Sequence, residues 1–292
     1  MKKLACCLLA SIVALAVRAQ QLPLSSLYEM HGVMHNPATA GVSGHAMVGG
    51  GFHMQWSGMP GAPKTALLYG SAPVGALSGV GGYLFNDEAG PLRSTGLQAA
   101  YAFIIPMRDG ARFSLGLEGR VEQFTIDRRR LALTLGDNDP AINGRDQSIK
   151  GDAGFGMALT TPKLQVGLSV SQLVQSKLQL SDGVAGARFY RHYYLHSSYE
   201  LVVDESTRII PNLLFVYLPN APDLLQAGVR VEHNRQFWWG LSTRSEQSWM
   251  FSAGVRLHRF GIGYSFDIYQ HPLSLFDSGS NGHEVQLRYE WK

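Results

Sequence analysis

Two short segments contain residue types that catalyse reactions or bind cofactors in other proteins. His283 and Glu284 begin like a zinc-protease motif, in which a second histidine follows at helical spacing and both histidines bind the metal. The chain continues with Val285-Gln286-Leu287, so the second histidine is missing. A glycine-rich stretch at 79–82 lacks the later glycine of a dinucleotide-binding loop. Neither segment therefore predicts a catalytic or cofactor site.

Charged segments offer two further candidates. Asp137-Asn138-Asp139 resembles the opening of a calcium-binding loop, but Ile142 stands where the turn glycine belongs and no glutamate closes the loop. The run Asp127-Arg128-Arg129-Arg130 is a candidate site for lipopolysaccharide phosphates or for the acidic patch of a partner, since arginine binds phosphate through paired hydrogen bonds. The alternative is an interfacial or lumenal charge cluster. The ten histidines form no set with a serine and a carboxylate. The sequence therefore predicts no catalytic residue, no metal, no cofactor and no enzyme.

Residues 1–19 are expected to be a secretory signal peptide. Two lysines precede an apolar run over residues 4–17, and Ala19 provides the small residue that signal peptidase requires. A retained transmembrane anchor is the alternative, but the run is shorter than the roughly 18 to 20 apolar residues that cross a bilayer as a helix. Both cysteines, Cys6 and Cys7, lie in this segment. The mature chain is therefore expected to contain no disulfide, thiolate metal site or cysteine nucleophile.

The composition is unusual for a soluble domain. Charged residues make up 16% of the chain, against about 25% in ordinary soluble domains. After the signal segment, no apolar run reaches the length of a membrane-spanning helix. The formal charge of +3 includes Lys2, Lys3 and Arg18, so the mature chain is near neutral. Its charge therefore gives no indication of nucleic acid as a partner.

Apolar and polar residues alternate with period two along much of the mature chain. In 112–122, Leu115 and Leu117 alternate with polar residues such as Ser114 and Glu118. Side chains of a strand point alternately to its two faces, so this pattern predicts a strand with one apolar face. The same alternation recurs in 165–171, 226–232, 251–258, 260–268 and 284–291. The mature chain is therefore predicted to be all-β.

Polar segments of different length separate the predicted strands. Turn formers occur at 108–110, 219–223 and 233–235. The segments 135–150 and 271–283 are predicted to be longer loops. Strands of about 9 to 11 residues with alternately short and long connections are typical of an outer-membrane barrel. We predict one transmembrane antiparallel β-barrel of about 14 strands over residues 46–292, with a short N-terminal lead-in or plug segment at 20–45.

A soluble β-sandwich or solenoid would also show period two. Against it, the polar faces combine charged residues with many glycines and serines, as a barrel lumen does, while the opposite faces carry side chains that dissolve in hydrocarbon. The last strand alternates Val285, Leu287, Tyr289 and Trp291, similar to the terminal aromatic strand that outer-membrane barrels present to their insertion machinery. These features favour an integral protein of a Gram-negative outer membrane, in contact with its lipid and lipopolysaccharide.

The segment from Gln21 to Ser43 differs from the predicted barrel wall. The proline of Asn36-Pro37-Ala38 fixes the chain in a bend that a central strand does not accept. The segment is therefore either a periplasmic lead-in or a plug folded into the lumen. We expect it to lie towards the periplasmic side, where short turns leave room for a partner.

Several short motifs follow one another in a characteristic order. They are Asn36-Pro37-Ala38, Gln55-Trp56, 61–65, Asn86-Asp87, 263–267 and 282–287. In this order and spacing the chain resembles the PorP/SprF family of type IX secretion system membrane proteins of the Bacteroidetes over essentially the whole mature chain. His53 departs from the pattern, because the family commonly has arginine before the Gln-Trp pair. The motif residues are Asn36, Pro37, Ala38, Gly41, Gln55, Trp56, Gly61, Pro63, Thr65, Asn86, Asp87, Gly90, Tyr264, Asp267, His283 and Glu284.

The resemblance implies a function in protein secretion. Proteins of this family are similar to outer-membrane barrels that assist the export of large proteins with a C-terminal sorting domain, or hold them at the surface, gliding adhesins included. The implied partners are these secreted proteins and the type IX secretion machinery. The implied roles of the motif residues are structural or partner-docking, and the family is not known for enzymatic activity.

A channel for hydrophobic small molecules is the alternative function. Long-chain fatty acid channels are similar in barrel size and also begin with an Asn-Pro-Ala plug segment. Such a channel needs a continuous apolar path, whereas the predicted lumenal positions include Arg112, Glu118 and Arg120. A general porin is the third interpretation.

Overall fold

The computed structural model of the chain describes residues 25–130, 145–176, 190–219, 222–245, 248–270 and 281–291. The predicted signal peptide and the candidate calcium loop lie outside these ranges. No helix within them is long and apolar enough to span a membrane. The strands are β1 (Ala46–Met54), β2 (Lys64–Pro73), β3 (Ser78–Ala89), β4 (Leu92–Pro106), β5 (Arg112–Asp127), β6 (Arg145–Thr160), β7 (Leu164–Ser171), β8 (His192–Tyr199), β9 (Leu201–Val202), β10 (Thr207–Tyr217), β11 (Leu224–His233), β12 (Phe237–Arg244), β13 (Ser248–Leu257), β14 (Phe260–Tyr269) and β15 (Asn281–Trp291).

Fourteen antiparallel strands form a closed barrel, and β9 is a short additional strand. Neighbours in sequence pair with one another, and β1 closes the barrel by pairing with β15, with Ala46 opposite Trp291 and Met54 opposite His283. β8 pairs directly with β10, and the short β9 pairs with Arg208 and Ile209 at the start of β10. Closure lets the main-chain groups of the wall pair with one another, as the bilayer core requires. The predicted single barrel and its approximate strand number are confirmed.

The alternation of side chains sets the two faces of the wall. In β5, Ser114, Glu118 and Arg120 are buried towards the lumen, whereas Leu117 and Val121 are exposed on the outside. Polar side chains inside and apolar side chains outside are typical of a barrel in lipid. The sequence pattern predicted these faces correctly.

The two ends of the barrel differ in the length of their connections. One end has 74–77, 107–111, 161–163, 200–206, 234–236 and 258–259. The other end includes the longer segments 55–63, 128–144, 172–191 and 270–280. Outer-membrane barrels have short periplasmic turns and longer extracellular loops. The first end is therefore periplasmic and the second extracellular.

Two segments predicted as loops belong partly to strands. Residues 145–150 lie in β6 and pair with 122–127 of β5, and residues 281–283 lie in β15. Backbone pairing continues in β6 because a ladder needs only main-chain groups, whatever the polarity of the side chains. The polar composition of 145–150 therefore marks an extracellular extension of the strand.

Residues 25–44, which we call the plug, pass through the lumen. They include two short 3-10 helices, Tyr28–Met34 and Pro37–Thr39. Asn36 caps the second helix, since its side chain accepts a hydrogen bond from the Ala38 amide at 2.9 Å. Gly41 has a φ of +69°, which glycine adopts without strain, and its amide donates to Ser71 of β2. The plug thus meets the wall at β2 before the chain enters β1.

Candidate functional site: the plugged lumen

The extracellular half of the lumen binds the first described residues of the plug. Ser25 Oγ donates to Glu284 Oε1 at 2.6 Å, and the Ser26 amide donates to Glu284 Oε2 at 2.6 Å. Ser26 Oγ donates to Asp267 Oδ2 at 2.5 Å. We call these four residues the anchor. Its carboxylates lie near the extracellular ends of β14 and β15, so the plug reaches well beyond the periplasmic side where we expected it.

Two further wall side chains bind the carbonyls of the same plug residues. Arg244 Nη2 donates to the Ser25 carbonyl at 3.2 Å, and Gln226 Nε2 donates to the Ser26 carbonyl at 3.1 Å. Arg244 Nη2 also donates to Gln226 Oε1 at 2.9 Å, which orients the amide of Gln226. Buried polar groups are stable when they have such partners. The anchor region thus connects the plug to β11, β12, β14 and β15.

Asp267 also contacts three other side chains of the wall, His53, Ser265 and Tyr269, whose hydroxyl donates to Asp267 Oδ2 at 3.3 Å. His53 Nε2 lies 3.3 Å from Asp267 Oδ2, and Ser265 Oγ donates to Asp267 Oδ1 at 2.7 Å. Asp267 is 0% exposed and His53 is 4% exposed. A buried carboxylate is stable only with several partners, and His53 is one of them.

The anchor brings serine, histidine and carboxylate side chains together. His31 Nε2 lies 2.9 Å from Ser25 Oγ, the spacing of a nucleophile and its base. In a catalytic triad the carboxylate binds the other ring nitrogen of the histidine. Here Glu284 binds the serine hydroxyl, and His31 Nδ1 binds no carboxylate among the described residues. No local motif links residues so distant in the chain, so the cluster could not be recognised from the sequence.

His283 and Glu284 point to opposite faces of β15. His283 Nδ1 lies 2.8 Å from Tyr264 Oη on the outer face, whereas Glu284 binds the plug. The pair therefore cannot bind one ion together. Within the described ranges, no group of three or more histidine, cysteine or acidic side chains is placed to hold a metal.

Asn36 fixes the plug to the opposite wall. Its Nδ2 donates to the Met157 carbonyl of β6 at 3.0 Å and lies 3.0 Å from His196 Nε2 of β8. Ser169 Oγ of β7 donates to the His35 carbonyl at 2.5 Å. The plug therefore spans the lumen from the anchor to the strands across from it.

Glycines of β5 and β6 let the plug backbone lie directly against the wall. A Cβ at Gly116 would overlap the backbone of Pro37 and Ala38, and a Cβ at Gly156 would overlap the side chain of Asn36. Larger residues at these positions would push the plug away. The motif residues Asn36, Pro37 and Ala38 thus fit a surface shaped by glycines.

Two polar contacts hold the plug below the anchor. Arg230 Nη1 of β11 lies 2.6 Å from Glu29 Oε2, and Tyr28 Oη donates to Asn212 Oδ1 of β10 at 3.0 Å. Burial raises the pKa of the Glu29 carboxyl, and the guanidinium of Arg230 opposes this shift. The ion pair therefore favours the charged form of Glu29 inside the lumen.

Two plug histidines lie side by side inside the lumen. The ring centroids of His31 and His35 are 5.7 Å apart, and the ring of His35 lies 5.8 Å from that of Tyr194. Burial lowers the pKa of His31. The pKa of His35 is well below its ordinary value, because of burial and then of the neighbouring His31 and His196. The neutral forms are thus favoured, and protonation would place charge among buried rings.

The remaining motif residues form a second group near the extracellular ends of β1 to β4. Thr65 Oγ1 donates to Asp87 Oδ1 at 2.5 Å in the lumen, whereas the Asn86 side chain accepts from Arg93 Nε at 2.7 Å on the outer face. Gln55, Trp56, Gly61 and Pro63 lie in the connection 55–63, and the amide of Gly90 donates to the Gly61 carbonyl at 3.0 Å. These contacts join two neighbouring extracellular connections.

A closed antiparallel barrel with an apolar outer face and a polar, plugged lumen defines an integral outer-membrane protein. The chain belongs to the PorP/SprF family of type IX secretion system membrane proteins, whose family model matches residues 17–289. The match confirms the resemblance inferred from the order of the motifs.

Solved structures with the same fold include three transport proteins. The CymD monoaromatic hydrocarbon channel has a TM-score of 0.53 at 11% identity, covering 89% of this chain and 92% of that chain. The toluene transporter TbuX of Ralstonia pickettii has a TM-score of 0.52 at 11% identity, covering 89% and 91%. The toluene transporter TodX of Pseudomonas putida has a TM-score of 0.51 at 10% identity, covering 89% and 92%. No curated protein sequence matches the chain.

Proposed function

We propose that the protein is a non-enzymatic accessory component of type IX secretion that docks exported proteins or the secretion machinery at the outer membrane. The observation that carries the proposal is the family match over residues 17–289. The docked proteins carry C-terminal sorting domains and include gliding adhesins, and docking assists their export and their attachment to the cell surface.

The plug supports a docking function over conduction of cargo through this lumen. The anchor binds the plug to β14 and β15, and Asn36 binds it to β6 and β8. A plug held at opposite walls occupies the path that a polypeptide would take. Docking then takes place at the rims and loops of the barrel, while the wall keeps them in position in the membrane.

The chemistry of the lumen supports a protein without enzymatic activity. The serine and histidine closest to a nucleophile pair, Ser25 and His31, are both buried, and Glu284 binds the serine hydroxyl. A nucleophile needs its base oriented by a third group and an exposed approach for the substrate. Ser25 serves as an anchor residue.

A channel for hydrophobic small molecules is the second candidate, because the barrel shares its fold with the CymD channel. The charges of the lumen oppose it, since Glu118 and Arg120 are almost fully buried on the inner face of β5. Uptake of radiolabelled toluene by proteoliposomes separates the candidates. Uptake above that of empty liposomes would favour the channel, and no uptake would favour docking.

The contact with lipopolysaccharide is proposed for the arginine run at the extracellular end of β5. Arg128 Nη2 already lies 2.6 Å from Asp146 Oδ2, whereas Arg129 and Arg130 are exposed. Arginine binds phosphate through paired hydrogen bonds. Loss of lipopolysaccharide co-purification in Arg129→Gln/Arg130→Gln would support the contact, and unchanged co-purification would contradict it.

Deletion of the gene tests the docking function. Proteins with C-terminal sorting domains are quantified at the cell surface, in the medium and in the periplasm of the deletion strain and of the strain complemented with the wild-type gene. We expect at least one such protein to accumulate in the periplasm or to be lost from the surface, with recovery on complementation. Unchanged export and attachment of all of them would overturn the proposal.

A further inference from the structure

Five arginines lie at the periplasmic end of the barrel along β11 to β15. Arg230 of β11, Arg256 of β13 and Arg288 of β15 occupy inward-facing positions near the periplasmic ends of their strands. Arg235 and Arg259 lie in the exposed turns 234–236 and 258–259 directly below. We call these five arginines the basic mouth.

Not all of these arginines are neutralised. Arg230 pairs with Glu29 at 2.6 Å and with Glu232 at 3.2 Å, and Arg288 pairs with Glu290 at 2.8 Å. Within the described ranges, the other three members of the basic mouth have no carboxylate within 4.0 Å. Glu29, Glu232 and Glu290 offset the charge of the three inward-facing arginines, and the two arginines of the turns leave these groups with a net positive charge that attracts anions.

The backbone keeps two of these arginines close to one another. Arg256 lies opposite Gly261 of β14, and Gly261 lies opposite Arg288 of β15. A Cβ at Gly261 would meet only Arg288 within 4 Å. The glycine thus leaves open space between two inward-facing guanidinium groups, which can receive an incoming acidic side chain.

The plug leaves the lumen on the other side. The Gly41 amide donates to Ser71 Oγ of β2 at 2.8 Å, and Arg112 of β5 donates to the Val42 carbonyl. The plug therefore reaches the periplasm along β2 to β5. On the side of β11 to β14, Glu29 of the plug contacts Arg230, and Met30 lies against Gly263 of β14. Arg256 lies two residues closer to the periplasmic end than Gly254, which is opposite Gly263.

We propose that the basic mouth is the docking surface for an acidic segment of a periplasmic protein partner. This inference rests on the proposed docking function and names one surface and the chemistry of its partner. A lipid headgroup fits less well, because three of the arginines face the lumen and the wall separates them from the bilayer. A carboxylate-rich polypeptide can enter the mouth from the periplasm and form paired hydrogen bonds with the guanidinium groups.

Binding of a fluorescein-labelled oligoglutamate peptide to the purified, detergent-solubilised protein tests the surface. Arg256→Gln/Arg259→Gln should weaken binding by about tenfold, since it removes two cations without a carboxylate partner. The matched control Arg108→Gln/Lys163→Gln removes two exposed cations from turns on the other side of the same end. The control should bind as the wild type does. Equal binding by both variants, or no binding by the wild type, would overturn the proposal.

Two further measurements separate this inference from its alternatives. If phosphatidylglycerol micelles displace the peptide and bind with the same dependence on Arg256, the surface recognises lipid and the protein partner is refuted. In cells, the Arg256→Gln/Arg259→Gln variant should reproduce the export defect of the deletion strain, although the amount of folded barrel in the outer membrane equals that of the wild type. Normal export by this variant, in a background where deletion blocks export, would overturn the docking surface and leave the proposed function intact.

Discussion

Ser26 Oγ lies 2.5 Å from Asp267 Oδ2, although 241 residues separate the two in the chain. Ser25 and Glu284 are bonded across 259 residues in the same way. The plug is therefore held by side chains from the last two strands of the barrel.

Asp267→Asn should loosen the plug. Asparagine keeps the volume of the side chain but removes the negative charge of the carboxylate that binds Ser26 and His53. We expect the plug to lose about 1 to 3 kcal/mol of binding free energy. A reporter cysteine introduced as Met34→Cys, buried in the plug, should react faster with maleimide in the purified protein. The control is Asp109→Asn in an exposed periplasmic turn. Equal labelling rates in the two variants would contradict the role of the anchor.

Gly116→Ala should displace the plug from β5. Its Cβ would overlap the backbone of Pro37 and Ala38, and overpacking of this kind costs about 1 to 3 kcal/mol. Conductance in planar bilayers should rise above that of the wild type. Gly119→Ala is the matched control on the same strand, because its Cβ meets no atom within 4 Å. An unchanged conductance in Gly116→Ala would show that the plug does not depend on this contact.

Acid should release the plug. The pKa values of His31 and His35 in the docked plug lie below the ordinary 6.5 because both rings are buried. Released rings therefore bind protons first, so the contribution of the two histidines to docking is complete above about pH 6.5 and weakens as the pH falls below it, whereas Glu29, whose pKa is raised in the docked plug, contributes in the opposite direction. Labelling of Met34→Cys, normalised to the exposed Glu205→Cys, should rise between about pH 7.5 and about pH 5. His35→Gln should reduce this rise and the exposed His258→Asn should not; equal profiles would refute the mechanism.

Leu117→Arg should impair insertion of the barrel. Leu117 is 61% exposed on the outer face of β5, and arginine facing lipid near the midplane costs about 2 to 4 kcal/mol. We expect a smaller fraction of heat-modifiable, folded protein on gels than for Leu117→Phe, which keeps an apolar side chain. Equal folded fractions would mean that this face does not contact lipid.

The barrel could be predicted from the sequence because its cause is local. In β5, the alternation of apolar residues such as Leu117 with polar residues such as Glu118 identifies the apolar face. The pairing of the strands follows their order in the chain. The extension of β6 over 145–150 was missed, because its side chains are polar and its pairing with β5 is a main-chain effect. Composition alone does not separate a loop from a strand outside the bilayer.

The path of the plug could not be predicted in the same way. Asn36-Pro37-Ala38 indicated a bend, but no local pattern relates Ser25 to Glu284 or to His31. Polar residues on a lumenal face are compatible with water as well as with a plug. The sequence therefore indicated Asp267 and Glu284 as motif residues, but it did not indicate that they bind Ser26 and Ser25.

The position of the anchor carboxylates in β14 and β15 also sets a temporal order. Ser25 and Ser26 are synthesised before the strands that bind them, so the plug has no binding site until β14 and β15 have been made. Because β15 also pairs with β1 to close the barrel, the step that completes the wall also completes the binding site of the plug. A chain that stops before β14 lacks Asp267, Glu284 and the strand that closes the barrel, so closing the wall and holding the plug become one event in assembly.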